Sequence, residues 1–591
     1  MPKKKHSSSK PSSPTPSGNL FPSAFSRRAS AGMAIIVVLT LLVYLPALSG
    51  GFILDDNLLL TANPLIHAPD GLYRFWCTTE PPDYWPVSST SLWIEWRLWG
   101  RNPTGYHVTN LVLHLAAVML VWIILRTLSI PGAFLAALIF AVHPVNVESV
   151  AWIAQRKNLL AMLFLLLSVL WYLKAERGER PGARGEENGR RNAKREARYE
   201  KPSPPYPLIP HPSPLIPRWY CLSLLAFVLA MLSKGSAAVL PALLLGIVWW
   251  RRPLTKRDFL RTAPFFAVAA VLTALNIWFQ HHDINKVIRT ADFIERLLGA
   301  GGVVWFYLYK ALLPLDLAFI YPRWNIQANN LLWWLPLTAA LALTAVLWRS
   351  RQGWSQPFWF AWFFFCVALV PVLGFTDVGF MEFSLVADHY QHIAILGVIA
   401  LAAAGWSVWH QKARGQIRAT AFAAAAAGVG ALALLTLQQT QLYRSPVTLY
   451  QDNLKKNPEC LPALMNLGNE LVKADRLPEA ISCYDKALGL QPDSPYLHEN
   501  LGNALLQAGR PLEAIRHYER AIQLHRVSGA IYYNLARAYD ETDQPAKALS
   551  ASQQALSLAR SQNQTAQVRQ IEKWISSYRA KKNNVSTPRP D

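Results

Sequence analysis

Long apolar runs separated by short polar connections occupy the first three quarters of the chain. They fall at 34–48, 108–127, 131–147, 158–174, 219–233, 236–250, 262–279, 331–348, 357–375, 391–409 and 419–437. Most hold the ~20 apolar residues that a helical crossing needs. Only helices fit, because backbone groups in lipid must be satisfied within the segment. The run 34–48 follows a basic flank and ends at Ala47-Leu48-Ser49, a passable cleavage site. Because more runs follow, it is read as an uncleaved anchor. One further stretch, 303–320, is apolar but contains Lys310, Pro314 and Asp316, and is expected to lie at the outer face without crossing. The pattern thus predicts eleven crossing helices.

After Leu437 the pattern becomes periodic. Asn466-Leu467-Gly468, Asn500-Leu501-Gly502 and Asn534-Leu535-Ala536 recur every 34 residues. So do Ala480/Ala514/Ala548 and Ala487/Ala521/Ala555, and Tyr484 and Tyr518 share a register with Ser552. Small residues where paired helices cross, with large ones between, are the tetratricopeptide (TPR) signature. The repeats fall at about 461–494, 495–528 and 529–562, and 446–458 resembles the second helix of a further repeat. Val568, Ile571, Ile575 and Tyr578 stand at helical spacing and read as a capping helix. The fold class is therefore all-α: a polytopic transmembrane helical domain (31–437), then a TPR α-solenoid (446–580). A basic, disordered N-terminus (1–30), a Glu/Arg/Gly/Pro linker (175–217) and a tail (581–591) complete the chain.

Charge changes the picture by its location. The 591 residues carry a net charge of +22, which invites a nucleic-acid reading. Yet Lys and Arg collect in 1–30, 175–218, 251–261, at Arg349/Arg351 and at Lys412/Arg414/Arg418, always at the ends of apolar runs. That is the mark of cytoplasmic loops, and nucleic acid is not an expected partner. If 303–320 does not cross, all these clusters lie on one side, with the N-terminus inside and the C-terminus outside. Five scattered Cys give neither a disulfide framework nor a zinc site. The outer loop 50–106 alternates Trp76, Trp85, Trp93, Trp96 and Trp99 with polar groups, and should lie along the bilayer as short amphipathic helices.

Several polar groups at the outer ends of these runs are candidates for chemistry. Asp55-Asp56 follows the first run and is either a solvated helix end or a paired-carboxylate base. His143, Glu148 and Arg156-Lys157-Asn158 share the second outer loop, and ionisable groups at membrane depth are functional candidates. Lys234 sits between two apolar runs, as a snorkelling lysine or a functional one. Asp388-His389-Tyr390-Gln391-His392 begins another run. No cluster has clean metal-ligand spacing.

Taken together, Gly51-Phe52-Ile53-Leu54-Asp55-Asp56, Asn63, Tyr84-Trp85-Pro86, Gly105-Tyr106-His107 and Asn110…His114 resemble the TMTC family. Ala141-Val142-His143-Pro144, Glu148-Ser149-Val150-Ala151, Arg156 and Ser233-Lys234 fit the same order of motifs. The resemblance implies a GT-C-type glycosyltransferase joined to TPRs, one that moves a sugar from a polyprenyl-phosphate donor to Ser/Thr hydroxyls of proteins. It implies Asp55 or Asp56 as the base, with Glu148 sharing that role or orienting one of the residues that hold the donor phosphate. Arg156, Lys234 and His143 would hold the donor phosphate. No cofactor is required by that analogy, although an acidic pair leaves a divalent metal open. Trp85, His389 and Lys157-Asn158 depart from the family pattern, which touches the donor sugar and phosphate contacts. The compositional style suggests a bacterial inner membrane with periplasmic TPRs, or a lumenal TPR domain in an endoplasmic-reticulum protein. A row of Asn466, Asn500 and Asn534 on the concave face would grip acceptor polypeptides, resembling the asparagine ladder of the nucleocytoplasmic protein O-GlcNAc transferase. The alternative is that these amides bond their own helix neighbours. Competing functions are a non-catalytic membrane receptor built on the TPRs and a transporter or polymerase.

Overall fold

The backbone of the computed structural model is described over residues 27–178, 218–283 and 288–585. The stretch 1–26, most of the linker and the last tail residues lie outside the described residues. Among the described residues there is no strand. The apolar runs become α1 (Arg27–Tyr44), α2 (Pro86–Trp99), α3 (Pro103–Thr127), α4 (Ala133–Ala141), α5 (Val147–Ala151), α6 (Arg156–Gly178) and α7 (Arg218–Ser233). Then follow α8 (Leu240–Arg251), α9 (Lys256–Asp283), α10 (Phe293–Leu312), α11 (Trp334–Arg349), α12 (Gln356–Leu369), α13 (Ile395–Lys412) and α14 (Gly415–Leu442). Here α2 is one of the expected amphipathic helices of the 50–106 loop; its Arg97 lies over the Trp93 ring, 3.2 Å from its centroid.

Among the described residues, seven helices are long and apolar enough to cross a membrane, or eight if the pair Ala133–Ala141 and Pro144–Ala151, bent by 51°, is one span. The segments at α7, α8 and α13 fall short of that measure, so a count of eleven rests on the sequence pattern rather than on helix length. The polar connections gather at two ends. At one, Arg252 donates to both oxygens of Asp258 (2.7 Å each) and to Glu176 (3.3 Å), and Gln356 donates to the Trp250 carbonyl (3.1 Å). At the other lie Asp55, the loop 370–394 and the start of the solenoid.

Helix α10 has both ends at this second end. Near its start, Arg296 donates to both oxygens of Asp377 (2.8 and 2.9 Å). Beyond its last turn, Tyr321 donates to Asp388 of the same loop (2.9 Å). A 20-residue helix is about 30 Å long, so α10 runs along the loop 370–394 that both contacts share. Lys310 closes its C-terminal turn by donating to the carbonyls of Leu315 (2.6 Å) and Asp316 (3.2 Å).

The solenoid comprises α15 (Pro446–Lys456), α16 (Leu461–Lys473), α17 (Leu477–Leu490), α18 (Pro495–Gln507), α19 (Pro511–Gln523), α20 (Gly529–Glu541), α21 (Pro545–Ser561) and α22 (Thr565–Val585). Its packing shows why small and large residues alternate. A Cβ on Gly468 would meet the Tyr484 ring at 2.6 Å, and one on Gly502 would meet Tyr518 at 2.8 Å. In the third repeat the tyrosine position is Ser552 and the glycine position is Ala536, so ring and gap disappear together. On α22, Ile571, Ile575 and Tyr578 are buried, as expected of a cap.

Candidate functional site

The site forms where helix geometry fails. Between α4 and α6 the backbone turns through short helical pieces, leaving carbonyls that no helix satisfies. In an apolar surrounding each must find a donor. Helix α3 supplies them from one face: positions 107, 110 and 114 follow the i, i+3, i+7 spacing of a helical stripe. Asn110 donates to the carbonyls of Val150 (3.1 Å) and Trp152 (3.2 Å), and His114 to Ala141 (3.1 Å). His107 donates to Gly50 (3.2 Å), tying in the loop that carries the aspartates.

The two aspartates differ. Asp56 is fully buried, and each carboxylate oxygen takes a backbone N–H: Oδ2 from Ile53 (2.9 Å) and Oδ1 from Ala154 (2.6 Å). It joins the first outer loop to the second. Burial raises its carboxyl well above the usual range, against the pull of those two N–H groups. Asp55 is only partly buried, and no described residue hydrogen-bonds its carboxylate. Burial raises its carboxyl too, and nearby Lys157 lowers it.

Lys157 stands near Asp55, and Lys234 near Lys157. Lys157 lies 4.4 Å above the Trp85 ring. Lys234 Nζ donates to Asn158 Oδ1 (2.5 Å) and sits 5.7 Å from the Tyr390 ring; burial, with Lys157 adding to it, lowers its pKa well below the usual lysine value. Asn158 in turn donates to Gln155 (2.9 Å) and to the His389 carbonyl (3.2 Å). Glu148 Oε2 accepts the His389 backbone N–H (2.9 Å), and its Oε1 lies 2.9 Å from the imidazole Nδ1. Burial, with Lys234 and Lys157 adding to it, holds the His389 imidazole well below its usual range, so it is neutral. Lys234, Asn158, His389 and Tyr390 line a small polar pocket of about 20 Å³.

Beneath that pocket runs an apolar fissure of about 920 Å³ between α3, α6, α8, α11, α12 and α13. The two are one helical turn apart on α6 and α12, and three residues apart at the start of α13. Ala161, Ala368 and Ile393 line the pocket, while Leu165, Phe365 and Leu396 line the fissure. Trp250, Trp354 and Val408 close its far end.

Two expected phosphate ligands are engaged elsewhere. Arg156 has no exposed surface. It donates to Glu95 (2.6 Å), Ser91 (2.8 Å), Asn110 (2.5 Å) and the Tyr106 carbonyl (2.9 Å). A buried guanidinium so surrounded is a structural clamp. His143 donates from Nε2 to the Ala311 carbonyl (3.1 Å) and accepts the Val145 N–H at Nδ1 (3.4 Å), so both nitrogens are occupied. Sequence reasoning missed Glu95 and Ser91 as partners of Arg156, and named Lys157, Asn158 and Tyr390 within candidate clusters without giving them roles. Lys157 is turned about 100° around α6 from Arg156, which takes it from the clamp to the site.

The asparagine row also differs from expectation. Asn466 donates to the Pro462 carbonyl of its own helix (2.8 Å). Asn500 donates to Asn469 (3.3 Å) and Asn534 to Asn503 (2.9 Å), one repeat back. Each amide thus gives one N–H to a neighbour within the solenoid.

The fold is therefore a membrane-embedded helical domain carrying a TPR solenoid, with its polar site where the two meet. Models of the tetratricopeptide repeat match residues 493–561 and 468–509. The relatives found are protein O-mannosyl-transferases of the TMTC family. One from Caenorhabditis elegans, F38B6.6, is 30% identical over 157 residues, 24% of this chain and 23% of the relative. Drosophila melanogaster Tmtc1 is 32% identical over 159 residues, covering 25% and 18%. Human TMTC2 is 34% identical over 151 residues, covering 23% and 18%. The matches thus span only about a fifth of the relatives' lengths. Among solved structures, a crystal structure of MamA is 22% identical over 23% of this chain and 89% of that one, with a TM-score of 0.19.

Proposed function

We propose that this chain is an integral-membrane glycosyltransferase that moves a mannose-like sugar from a polyprenyl-phosphate donor to Ser/Thr hydroxyls of proteins gathered by its solenoid. The observation that carries this reading is the stacking of the lysine-lined pocket on the apolar fissure. A long isoprenoid tail fits the fissure, and its anionic head would meet Lys234 and Lys157. The names of the relatives supply the sugar and the acceptor class.

In this reading Asp55 is the base, because its carboxylate is uncommitted while Asp56 is held by two backbone N–H groups. The acceptor hydroxyl gives its proton to Asp55 as its oxygen bonds to the anomeric carbon. The bond from that carbon to the phosphate oxygen breaks, and the lipid phosphate leaves with the electron pair. Lys234 and Lys157 meet the charge that grows there. Glu148 orients the His389 segment of the pocket wall rather than acting as the base. A scaffold that only collects partners would need the solenoid but not a cationic pocket above a fissure.

The test is to incubate the full-length protein in lipid nanodiscs with polyprenyl-phosphate mannose and a Ser/Thr-containing protein, and to identify the product by mass spectrometry. Hydroxyl-linked hexose is expected, and Lys234→Met should raise the donor Michaelis constant by about tenfold or more. No modified acceptor with any polyprenyl-phosphate sugar would overturn the proposal.

A further inference from the structure

Asp55 sits on a turn whose other members are each fixed by a distant part of the chain. The Ile53 carbonyl accepts from the Trp152 indole (3.3 Å). Asp56 is fixed by Ala154 (2.6 Å). The third point is Leu54, whose N–H donates to the Tyr450 hydroxyl (3.1 Å), 396 residues away. Leu54 has φ +42°, in the left-handed region that side-chain-bearing residues rarely adopt. Such a conformation persists only where the surroundings hold it; the turn closes locally through Asp56 N–H to the Ile53 carbonyl (2.9 Å) and Asn57 N–H to the Leu54 carbonyl (3.2 Å), and Tyr450 is the hold on Leu54 from outside the turn.

Tyr450 belongs to α15, the first helix of the solenoid, and that helix is tied to the membrane domain along one face. At i+3, Asn453 Oδ1 accepts the Ile320 N–H (2.7 Å); at i+7, Asn457 donates to the Ile320 carbonyl (3.2 Å). Lys456 donates to the Leu317 carbonyl (2.7 Å). The Tyr450 ring packs against Phe319 (centroids 6.2 Å), which packs against Trp152 (5.0 Å). Helix α15 therefore serves both the solenoid and the turn that carries Asp55.

We infer that Tyr450 is a positioning residue: by holding Leu54 in its left-handed conformation, the hydroxyl on the first solenoid helix aims Asp55 at the reacting hydroxyl, so transfer depends on that one hydrogen bond. The consequence for transfer rests on the glycosyltransferase reading; the hold on the turn does not.

Three variants of the full chain in nanodiscs test this. Tyr450→Phe keeps the ring packing and loses only the hydroxyl. It should lower kcat about five- to tenfold, with the donor Michaelis constant within twofold. Glycine enters the left-handed region readily, so adding Leu54→Gly to Tyr450→Phe should restore part of the lost kcat. A merely structural loss would instead deepen. Asn457→Ala loosens the same joint without touching Leu54 and should leave kcat within twofold. An equal fall in Asn457→Ala, or no recovery in the double variant, overturns the inference. Amide exchange separates this from failure of the glycosyltransferase reading. Tyr450→Phe should speed exchange across 50–57 about five- to tenfold, whether or not the protein transfers sugar, with α18–α21 unchanged. Unaltered exchange there would refute the positioning role on its own.

Discussion

In the solenoid, polar side chains find partners one repeat away: Asn500 reaches Asn469 and Asn534 reaches Asn503, each 31 residues back. In the layer that holds Asp55, partners come from anywhere in the chain. His389 meets Glu148 across 241 residues, and Leu54 meets Tyr450 across 396. The solenoid is thus close to a sum of local interfaces, whereas the polar layer is one connected object. Loss of a side chain should stay local in the first region and spread in the second.

The largest expected effect separates the two aspartates within that layer. Asp55→Asn should lower transfer about 10²- to 10⁴-fold, the range for a positioned base, with unfolding in detergent unchanged. Asp56→Asn should lower both, because it removes an acceptor that two loops share. Equal turnover in Asp55→Asn and the unaltered protein would remove the base. A pH profile sharpens the same point. The Asp55 carboxyl is raised above the usual carboxylate value by burial, and the base must be ionised to act. As pH falls, kcat/KM should therefore decline at a higher pH than an exposed aspartate would give.

Next is Arg156. Removing one partner of a buried ion pair leaves the other charge uncompensated, at about 3–5 kcal/mol. Arg156→Met should destabilise the membrane domain by that order in denaturant unfolding, because Glu95 remains buried. Adding Glu95→Gln should return part of the loss. If Arg156→Met only weakened donor binding, the guanidinium would belong to the phosphate site after all.

How much could be read from the sequence follows the same division. The helix pairs of the solenoid were legible because Gly468 and Tyr484, then Gly502 and Tyr518, repeat a local complementarity. The apolar runs announced their helices for a similar reason: a segment in lipid must satisfy itself. Whether a polar residue near the membrane face serves chemistry or backbone was not legible. Arg156 and Lys157 are neighbours in sequence, yet one clamps Glu95, Ser91 and Asn110 and the other faces Asp55. That choice is made by carbonyls of the broken segment 141–156 and by residues far along the chain, which no local pattern encodes. The asparagine row was legible in its spacing but not in its bonding: Asn469 and Asn503, three positions beyond members of the row, each take one amide proton from the next repeat.

The smallest effect tests whether the solenoid is as local as its bonds suggest. Asn503 Oδ1 accepts from the Tyr518 hydroxyl (2.8 Å) and from the Asn534 amide (2.9 Å), joining α18, α19 and α20. The same place in the next repeat is Arg537, and the tyrosine position there is Ser552, so the hub is absent from that interface. Asn503→Ala should therefore cost about 1–2 kcal/mol, two ordinary hydrogen bonds with some solvent compensation. Asn534→Ala, which removes one of the two, should cost about half as much, and the double variant little more than Asn503→Ala alone. Amide exchange on the full chain would place the loss in α18–α21, with 50–57 unaffected. If protection at 50–57 fell as well, strain in the second repeat would be passing through α17, α16 and α15 to Leu54, and the two regions would be energetically one.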